Sequence, residues 1–207
     1  MNDVIGGLQS CSFDFSSSQD INDPDYGRIT NYTESTVIFD GPNKMLVRSD
    51  GNKGKQGYWY NGEKITWYSF DQNNYATLDA PDNSIATIDS IYTNFDMEIP
   101  AADFFYPSYT DDILDEFPSI LYLGKKTIDN IECFHIKASN ATMEVHYWIA
   151  NDAYNLPKRY KIIYKNENNK QYEATFDNWN LNLVVPSAIF EFMPPANASE
   201  IKIQAKN

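Results

Sequence analysis

The segment that decides the fold of this 207-residue chain is residues 57–70, which reads GYWYNGEKITWYSF. Two predicted strands, residues 57–60 and 63–70, flank the pair Asn61-Gly62. Alternation with a period of two is typical of strands with one buried face, and Asn-Gly favours a two-residue type I′ turn because both positions tolerate positive φ. The segment therefore predicts a β-hairpin that turns at Asn61-Gly62.

Strand patterns extend from this hairpin in both directions. Residues 12–16, 29–39 and 44–48 precede it, and residues 75–79 follow it as the next strand of a meander. After Pro118 the alternation resumes and continues for most of the remaining chain. The pattern predicts one long antiparallel sheet with an interruption in the middle of the sequence.

The interruption, at about residues 82–117, predicts a helical insertion. A first helix is indicated by four apolar residues at helical spacing, which are Ile85, Ile88, Tyr92 and Phe95. Two shorter helices are expected, one that begins near Pro100 and carries Phe104 and Phe105, and one over residues 111–117.

Two later hairpins can be placed in register from their apolar residues. A turn at Asn140-Ala141 pairs Phe134 with Tyr147 and Ile136 with Val145 on one face, and it puts His135 beside His146 on the other. A turn near residues 166–170 gives a second hairpin with an apolar face, whose pairs are Tyr160 with Phe176, Ile162 with Ala174, and Tyr164 with Tyr172.

These elements predict a mainly β (α+β) chain that forms a single domain over residues 1–207. A sheet of about nine to eleven strands has one apolar face that is too large to leave in water. We therefore expect a single curled antiparallel sheet, an incomplete β-barrel, which is covered by the helical insertion at about residues 82–117.

Composition limits the partners and the chemistry. The chain has 16 Lys+Arg and 29 Asp+Glu, a formal net charge of −13, so we expect no nucleic-acid partner, because cationic side chains supply most of that affinity. No apolar run approaches the roughly 20 residues of a membrane-spanning helix, so no transmembrane segment is expected. The sequence contains no Gly-x-Ser-x-Gly, His-Glu-x-x-His or phosphate-loop signature, and no cofactor is expected.

Several motifs resemble a known family. Three segments are similar to characteristic positions of the bacterial lipoprotein-carrier (LolA/LolB-like) fold, namely residues 39–44 (FDGPNK), 60–68 (YNGEKITWY) and 190–195 (FEFMPP). Three further segments resemble more closely the sequences of an uncharacterised family of predicted periplasmic proteins related to those carriers. They are residues 131–135 (IECFH), 156–159 (LPKR) and 172–179 (YEATFDNW). The resemblance implies a half-barrel with a cavity for acyl chains between sheet and helices.

The resemblance also implies export, with a periplasmic or other envelope location and a signal peptide absent from this form. In the carriers an arginine before a proline holds a helical lid closed, whereas Gly41 stands at that position here, so the resemblance does not extend to this lid contact. Residues 8–11 (LQSC) are similar to a lipoprotein cleavage box but lack the preceding hydrophobic stretch, so the sequence does not favour lipidation of Cys11.

The expected site is a hydrophobic pocket between the sheet and the helices. Its predicted lining comprises Phe134, Ile136, Tyr147, Tyr160, Ile162, Tyr164, Tyr172 and Phe176 from strands, and Ile88, Tyr92, Phe104 and Phe105 from helices. The same residue types also fill ordinary cores, but tyrosines suit a pocket because each buried hydroxyl needs a partner.

A second interpretation uses the only two histidines, His135 and His146, which together with Glu144 have the donor types of a zinc or copper site. A neutral surface pair is the favoured alternative, because catalytic zinc normally has three protein ligands and structural zinc four. The predicted pocket and the family resemblance together indicate a non-enzymatic exported protein that binds or carries a lipid, an acyl chain of a lipoprotein or another amphiphile. The alternative is an interaction module that engages another envelope protein without a small ligand.

Overall fold

One twelve-stranded sheet dominates the computed structural model, which describes residues 4, 5 and 7–206. The strands are β1 (Ser10–Asp23), β2 (Gly27–Asp40), β3 (Lys44–Gly51), β4 (Gln56–Tyr60), β5 (Lys64–Ser69), β6 (Asn74–Asp79), β7 (Ser119–Ile128), β8 (Ile131–Ser139), β9 (Met143–Ala150), β10 (Pro157–Tyr164), β11 (Lys170–Leu181) and β12 (Ser199–Glu200). Their hydrogen-bonded order is β12-β6-β5-β4-β3-β2-β1-β11-β10-β9-β8-β7. A mainly β chain with one sheet is therefore confirmed; the short β12, which pairs with β6 in parallel, was not predicted.

The helical insertion lies between β6 and β7, as the change of period predicts. It consists of α1 (Ser84–Phe95), a 3₁₀ turn (Ala102–Phe105) and α2 (Tyr109–Glu116). Asn83 caps the first helix, since its side chain accepts a hydrogen bond from the backbone N–H of Ala86 at 2.9 Å.

The buried side of α1 differs from the predicted one. Its buried residues are Ser84, Thr87, Ile88 and Ile91, whereas Tyr92 is 56% exposed. The hydroxyl of Thr87 donates to Pro81 O at 3.1 Å, so this polar side chain is satisfied where it is buried. A satisfied threonine gives no apolar signal, so the sequence pattern predicted Ile88 correctly but placed Tyr92 on the buried side in place of Thr87 and Ile91.

The hairpin predicted in residues 57–70 is confirmed, but its turn lies one residue further along. Tyr60 pairs with Ile65, and Gly62 takes the positive φ of 100°. The side-chain oxygen of Asn61 accepts from the backbone N–H groups of Glu63 and Lys64, at 3.1 and 2.9 Å. Asn61 therefore acts as a side-chain cap before the turn and does not occupy the turn itself.

The β8–β9 hairpin repeats this arrangement. Asn140 Oδ1 accepts from Thr142 N and Met143 N, both at 2.9 Å, and Ile136 pairs with Tyr147 instead of Val145. The cross-strand register is thus two residues away from the predicted one. A shift by an even number leaves every side chain on its predicted face.

The β10–β11 hairpin also differs in register by two. Tyr160 pairs with Ala174 and Ile162 with Tyr172, so the predicted pairs were wrong while the predicted apolar face was right.

The chain divides into two compact units. One, the β7–β11 unit, contains Phe15–Thr33 and Asp103–Asp177; the other, the β3–β6 unit, contains Leu8–Asp14, Glu34–Ala102 and residues 178–206. Each unit holds one buried free cysteine, Cys133 in the former and Cys11 in the latter. The single-domain organisation expected from the sequence stays a prediction.

Lys158 joins separate segments of the β7–β11 unit. Its side chain is only 5% exposed and forms ion pairs with Asp129, at 3.2 Å, and with Asp177. Burial lowers the pKa of Lys158, but the hydrogen bonds to Asp177 and Asp129 outweigh burial, so the pKa lies above its ordinary value. The motif at residues 156–159 therefore supplies a buried cation that holds the β7–β8 turn and β11 against β10.

The strands of the β3–β6 unit carry side chains on two covered faces. On one face, the Tyr60 hydroxyl donates to Pro81 O, which also accepts from Thr87 of α1. On the opposite face, Leu46, Trp59 and Tyr68 form a buried cluster with Phe190 from the C-terminal segment. Helix α1 and the C-terminal segment therefore pack on opposite faces of these strands.

Candidate functional site

The predicted strand residues of the pocket share one face of the β7–β11 unit. The register places Ile136 opposite Tyr147, Tyr147 opposite Tyr160, and Ile162 opposite Tyr172. Because side chains at i and i+2 point to the same side of a strand, Phe134, Tyr164 and Phe176 lie on this face as well. All eight strand residues proposed from the sequence are therefore brought to one surface.

The helical insertion covers part of this face with aromatic rings. Phe104, from the 3₁₀ turn, contacts Tyr160 and Phe176 edge-on, with ring centroids 5.3 and 5.1 Å apart. Tyr109, at the start of α2, contacts both Phe104 and Tyr147. Phe104, Tyr147, Tyr160 and Phe176 are buried, so this covered end is a packed aromatic cluster.

The buried tyrosines remain uncharged phenols. The Tyr109 hydroxyl donates to the Tyr147 hydroxyl at 2.9 Å. Burial raises the pKa of Tyr147 to about 12, and it raises the pKa of Tyr109 and Tyr160 well above their ordinary value. The cluster therefore offers neutral hydrogen-bonding groups within an apolar surface.

The rest of the face is only partly covered. Five of the eight predicted strand residues are half-buried, namely Phe134, Ile136, Ile162, Tyr164 and Tyr172. Strand β7 extends the same face with Ile120 and Tyr122, which pair with Ala138 and Ile136 and are 38% and 61% exposed. Apolar side chains thus run from the packed cluster to an exposed sheet edge.

The remaining predicted lining residues have different environments. Phe105 is half-buried in the β7–β11 unit. Ile88 and Tyr92 belong to the β3–β6 unit, where Ile88 is buried.

Three residues of this face, Tyr109, Ile120 and Tyr122, were not predicted from the sequence. The alternation that continues after Pro118 indicates a strand that contains Ile120 and Tyr122, and this pattern is the signal that could have identified them. Tyr109 lies two residues before the predicted start of its helix, so no sequence pattern placed it on a helix face.

The two histidines lie together on the opposite face of the sheet. His135 Nε2 and His146 Nδ1 are 2.9 Å apart, and His146 Nε2 lies 2.8 Å from Glu144 Oε1. Trp148 stacks on His135 with a centroid distance of 4.5 Å. Within residues 4, 5 and 7–206, no group of three or more His, Cys, Asp or Glu side chains has a metal-binding arrangement. Three of the four imidazole nitrogens are instead used in hydrogen bonds between the rings and to the Glu144 carboxylate, whereas His135 Nδ1 is buried without a hydrogen-bond partner among the described residues.

Solved structures share this fold. LprF from Mycobacterium bovis has a TM-score of 0.52 at 11% identity, covering 89% of this chain and 91% of that chain. The lipoprotein LppX from Mycobacterium tuberculosis has a TM-score of 0.50 at 15% identity, covering 89% and 92%. An uncharacterized conserved protein from Thermus thermophilus has a TM-score of 0.52 at 8% identity, covering 96% and 94%. The predicted lipoprotein-carrier-like fold class is therefore confirmed.

The sequence assigns the family directly. The family of predicted periplasmic proteins DUF2092 matches residues 1–204, and the chain belongs to this family. The resemblance stated from the sequence motifs is thus confirmed, as is the periplasmic location it implied. No curated protein sequence matches the chain. Among the described residues, no helix has the length and apolarity to cross a membrane.

Proposed function

We propose that this protein is a non-enzymatic periplasmic binding protein that holds the apolar part of a lipid, an acyl chain or another amphiphile on the apolar face of the β7–β11 unit. The observation that carries the proposal is the row of half-buried apolar side chains, with Phe134, Ile136 and Ile162 among them, which continues into the exposed Ile120 and Tyr122. Covering such a surface with an acyl chain gains about 25 cal/mol for each Å² of apolar area removed from water.

The distribution of polar groups supports an amphiphile over a fully apolar ligand. The hydroxyls of Tyr109 and Tyr147 lie within the cluster as a neutral pair. At the exposed edge, Lys125 Nζ lies 5.5 Å from the centre of the Phe134 ring and pairs with Glu132. An acyl chain on the face would therefore have charged groups near its solvent end, where a polar head group belongs.

Adjacent isoleucines on β10 provide a matched test. Ile162 lies on the apolar face opposite Val145 and Tyr172, whereas Ile163 lies on the other face opposite Glu144 and Gln171. Both are half-buried. Ile162→Glu puts a charge into the proposed site, and Ile163→Glu puts the same charge on the same strand outside it.

The measurement is binding of a fluorescent dansyl fatty acid to the wild type and both variants, with circular dichroism to verify folding. We expect Ile162→Glu to lose at least about tenfold in affinity and Ile163→Glu to retain binding. Native mass spectrometry and lipid extraction of protein made in its own host should also show a bound amphiphile. Equal binding by the two variants, or the absence of any extracted amphiphile, would contradict the proposal.

An envelope-protein partner is a second candidate, and the sheet edge at β7 favours it. Strand β7 is the last strand of the sheet, and Ile120, Leu121, Tyr122 and Leu123 are all exposed. An edge strand offers free backbone groups to an added strand. Leu121→Pro should then prevent capture of an envelope protein by cross-linking while fatty-acid binding persists. Unchanged capture by this variant would exclude strand addition at β7.

A further inference from the structure

The C-terminal segment forms a second apolar groove, which lies entirely within the β3–β6 unit. The groove has a volume of about 640 Å³ and is lined by Trp59, Tyr68 and Phe70 from the strands and by Phe192 and Met193 from the segment after β11. This volume is within the range of roughly 300–1,000 Å³ that small-molecule sites occupy. It lies on the sheet face opposite to helix α1, and none of the pocket residues predicted from the sequence lines it.

The floor of the groove depends on a glycine. A Cβ atom at Gly57 would come within 2.6 Å of Trp59 Cζ3, so the indole lies against the bare backbone of Gly57. Trp59 contacts Phe192 with ring centroids 5.0 Å apart and Tyr68 at 6.4 Å. Because the indole lies low against the sheet, space for a ligand remains above it.

One cation at the groove is available to a ligand. The guanidinium carbon of Arg48 lies 5.9 Å from the centre of the Trp59 ring, and Arg48 is exposed. Arg48 forms no ion pair with any residue that the structure describes. A guanidinium that stacks on a ring keeps its N–H edge free for a bidentate carboxylate. The groove lining also contains the carboxylate of Glu191, which accepts a hydrogen bond from Asn61 Nδ2 at 2.9 Å and is not paired with Arg48.

The backbone beneath the groove favours an acyl chain over a peptide. Strands β3, β4 and β5 are interior strands of the sheet, so each is paired on both sides. Their N–H and C=O groups are already used by their neighbours, and a peptide lying across this face would bury its own polar backbone without partners. An acyl chain has no such requirement.

We propose that this groove is a second ligand site, which binds a single-chain fatty acid with its carboxylate at Arg48 and its chain over Trp59 and Phe192. The site is distinct from the apolar face of the β7–β11 unit, and either can exist without the other.

Photolabelling with a diazirine derivative of dodecanoate, followed by peptide mass spectrometry, tests the proposal on the full chain. We expect label on residues 188–195 and about fivefold weaker labelling there in Arg48→Gln, as for loss of an exposed charge contact. Lys53→Gln, an exposed residue outside the groove lining with the same charge change, should label like the wild type. Gly57→Ala should push the Trp59 indole into the groove and also reduce the labelling of residues 188–195.

Two results would overturn the inference. One is the absence of label from residues 188–195, and the other is equal labelling of Arg48→Gln and the wild type. Ile162→Glu separates this site from the first, because it should leave labelling of residues 188–195 unchanged. Loss of that labelling in Ile162→Glu would show that the groove is not an independent site.

Discussion

Acid should destabilise the β7–β11 unit because two imidazoles are in direct contact. Burial lowers the pKa of His135 below its ordinary value of 6.5, and the charges of His146 and Lys126 lower it further. A histidine whose pKa is lower in the folded state than in the unfolded state takes up its proton more readily when unfolded. Its contribution to stability is therefore complete above pH 6.5 and is lost as the pH falls toward the lowered pKa.

The magnitude follows from the distance between the rings. Their centroids are 5.1 Å apart. Two unit charges at that separation repel by about 3 kcal/mol at an effective dielectric constant of about 20, and by about 1 kcal/mol in bulk water. Glu144, which lies against His146, offsets part of this repulsion. We expect the free energy of unfolding to fall by about 1–2 kcal/mol between about pH 8 and about pH 5.5.

Urea unfolding at the two pH values, followed by circular dichroism, measures this change. The window isolates the histidines, because a hydrogen bond from His146 lowers the pKa of Glu144 from 4.5 and keeps its carboxylate ionised. The chain has only these two histidines, so the double variant His135→Gln/His146→Gln should lose most of the pH dependence. Equal wild-type stability at both pH values, or a double variant that responds to pH as the wild type does, would show that the two imidazoles do not cause the acid destabilisation.

Two substitutions test other contacts by thermal unfolding. Lys158→Met removes the buried ammonium from Asp129 and Asp177 and should lower the free energy of unfolding by about 1–3 kcal/mol. The comparison variant Lys161→Met loses a 3.7 Å ion pair with Glu173 and should lower the free energy of unfolding by less than about 1 kcal/mol. A Lys158→Met protein as stable as the wild type would show that the ion pairs contribute nothing. Gly62→Ala adds a Cβ 2.7 Å from Asn43 Nδ2 at a φ of 100°, whereas Gly27→Ala meets no atom within 4 Å at a φ of 75°. Gly62→Ala should therefore lower the free energy of unfolding by about 1 kcal/mol or more beyond the loss in Gly27→Ala. Equal losses in the two variants would indicate that Asn43 moves aside freely.

The sequence predicted which face each strand residue occupies better than it predicted strand pairing. Face assignment needs only the alternation within one strand, and a register error of two leaves it unchanged. Pairing depends on the turn, and Asn61 and Asn140 each precede the turn as side-chain caps. The same Asn-x pattern fits both arrangements, so the register could not be read from it.

The C-terminal segment was beyond the reach of periodicity. Val185, Ile189, Phe190 and Phe192 pack against the cluster around Trp59, yet they follow neither a helical nor a strand repeat over a useful length. Their positions are set by contacts with β3–β5, which are distant in sequence. The groove that Ile189 and Phe192 line together with Arg48 could therefore be found only from the structure.

The distribution of the two cysteines gives each compact unit its own internal probe. Cys133 and Cys11 are almost completely inaccessible, and burial raises the pKa of Cys11 to about 12 and that of Cys133 above its ordinary value. Both thiols should resist alkylation until the surrounding strands open. The relative rates at which a maleimide reaches the two sites under mild denaturation will report, without any engineered label, whether the halves of this protein unfold in concert or one at a time.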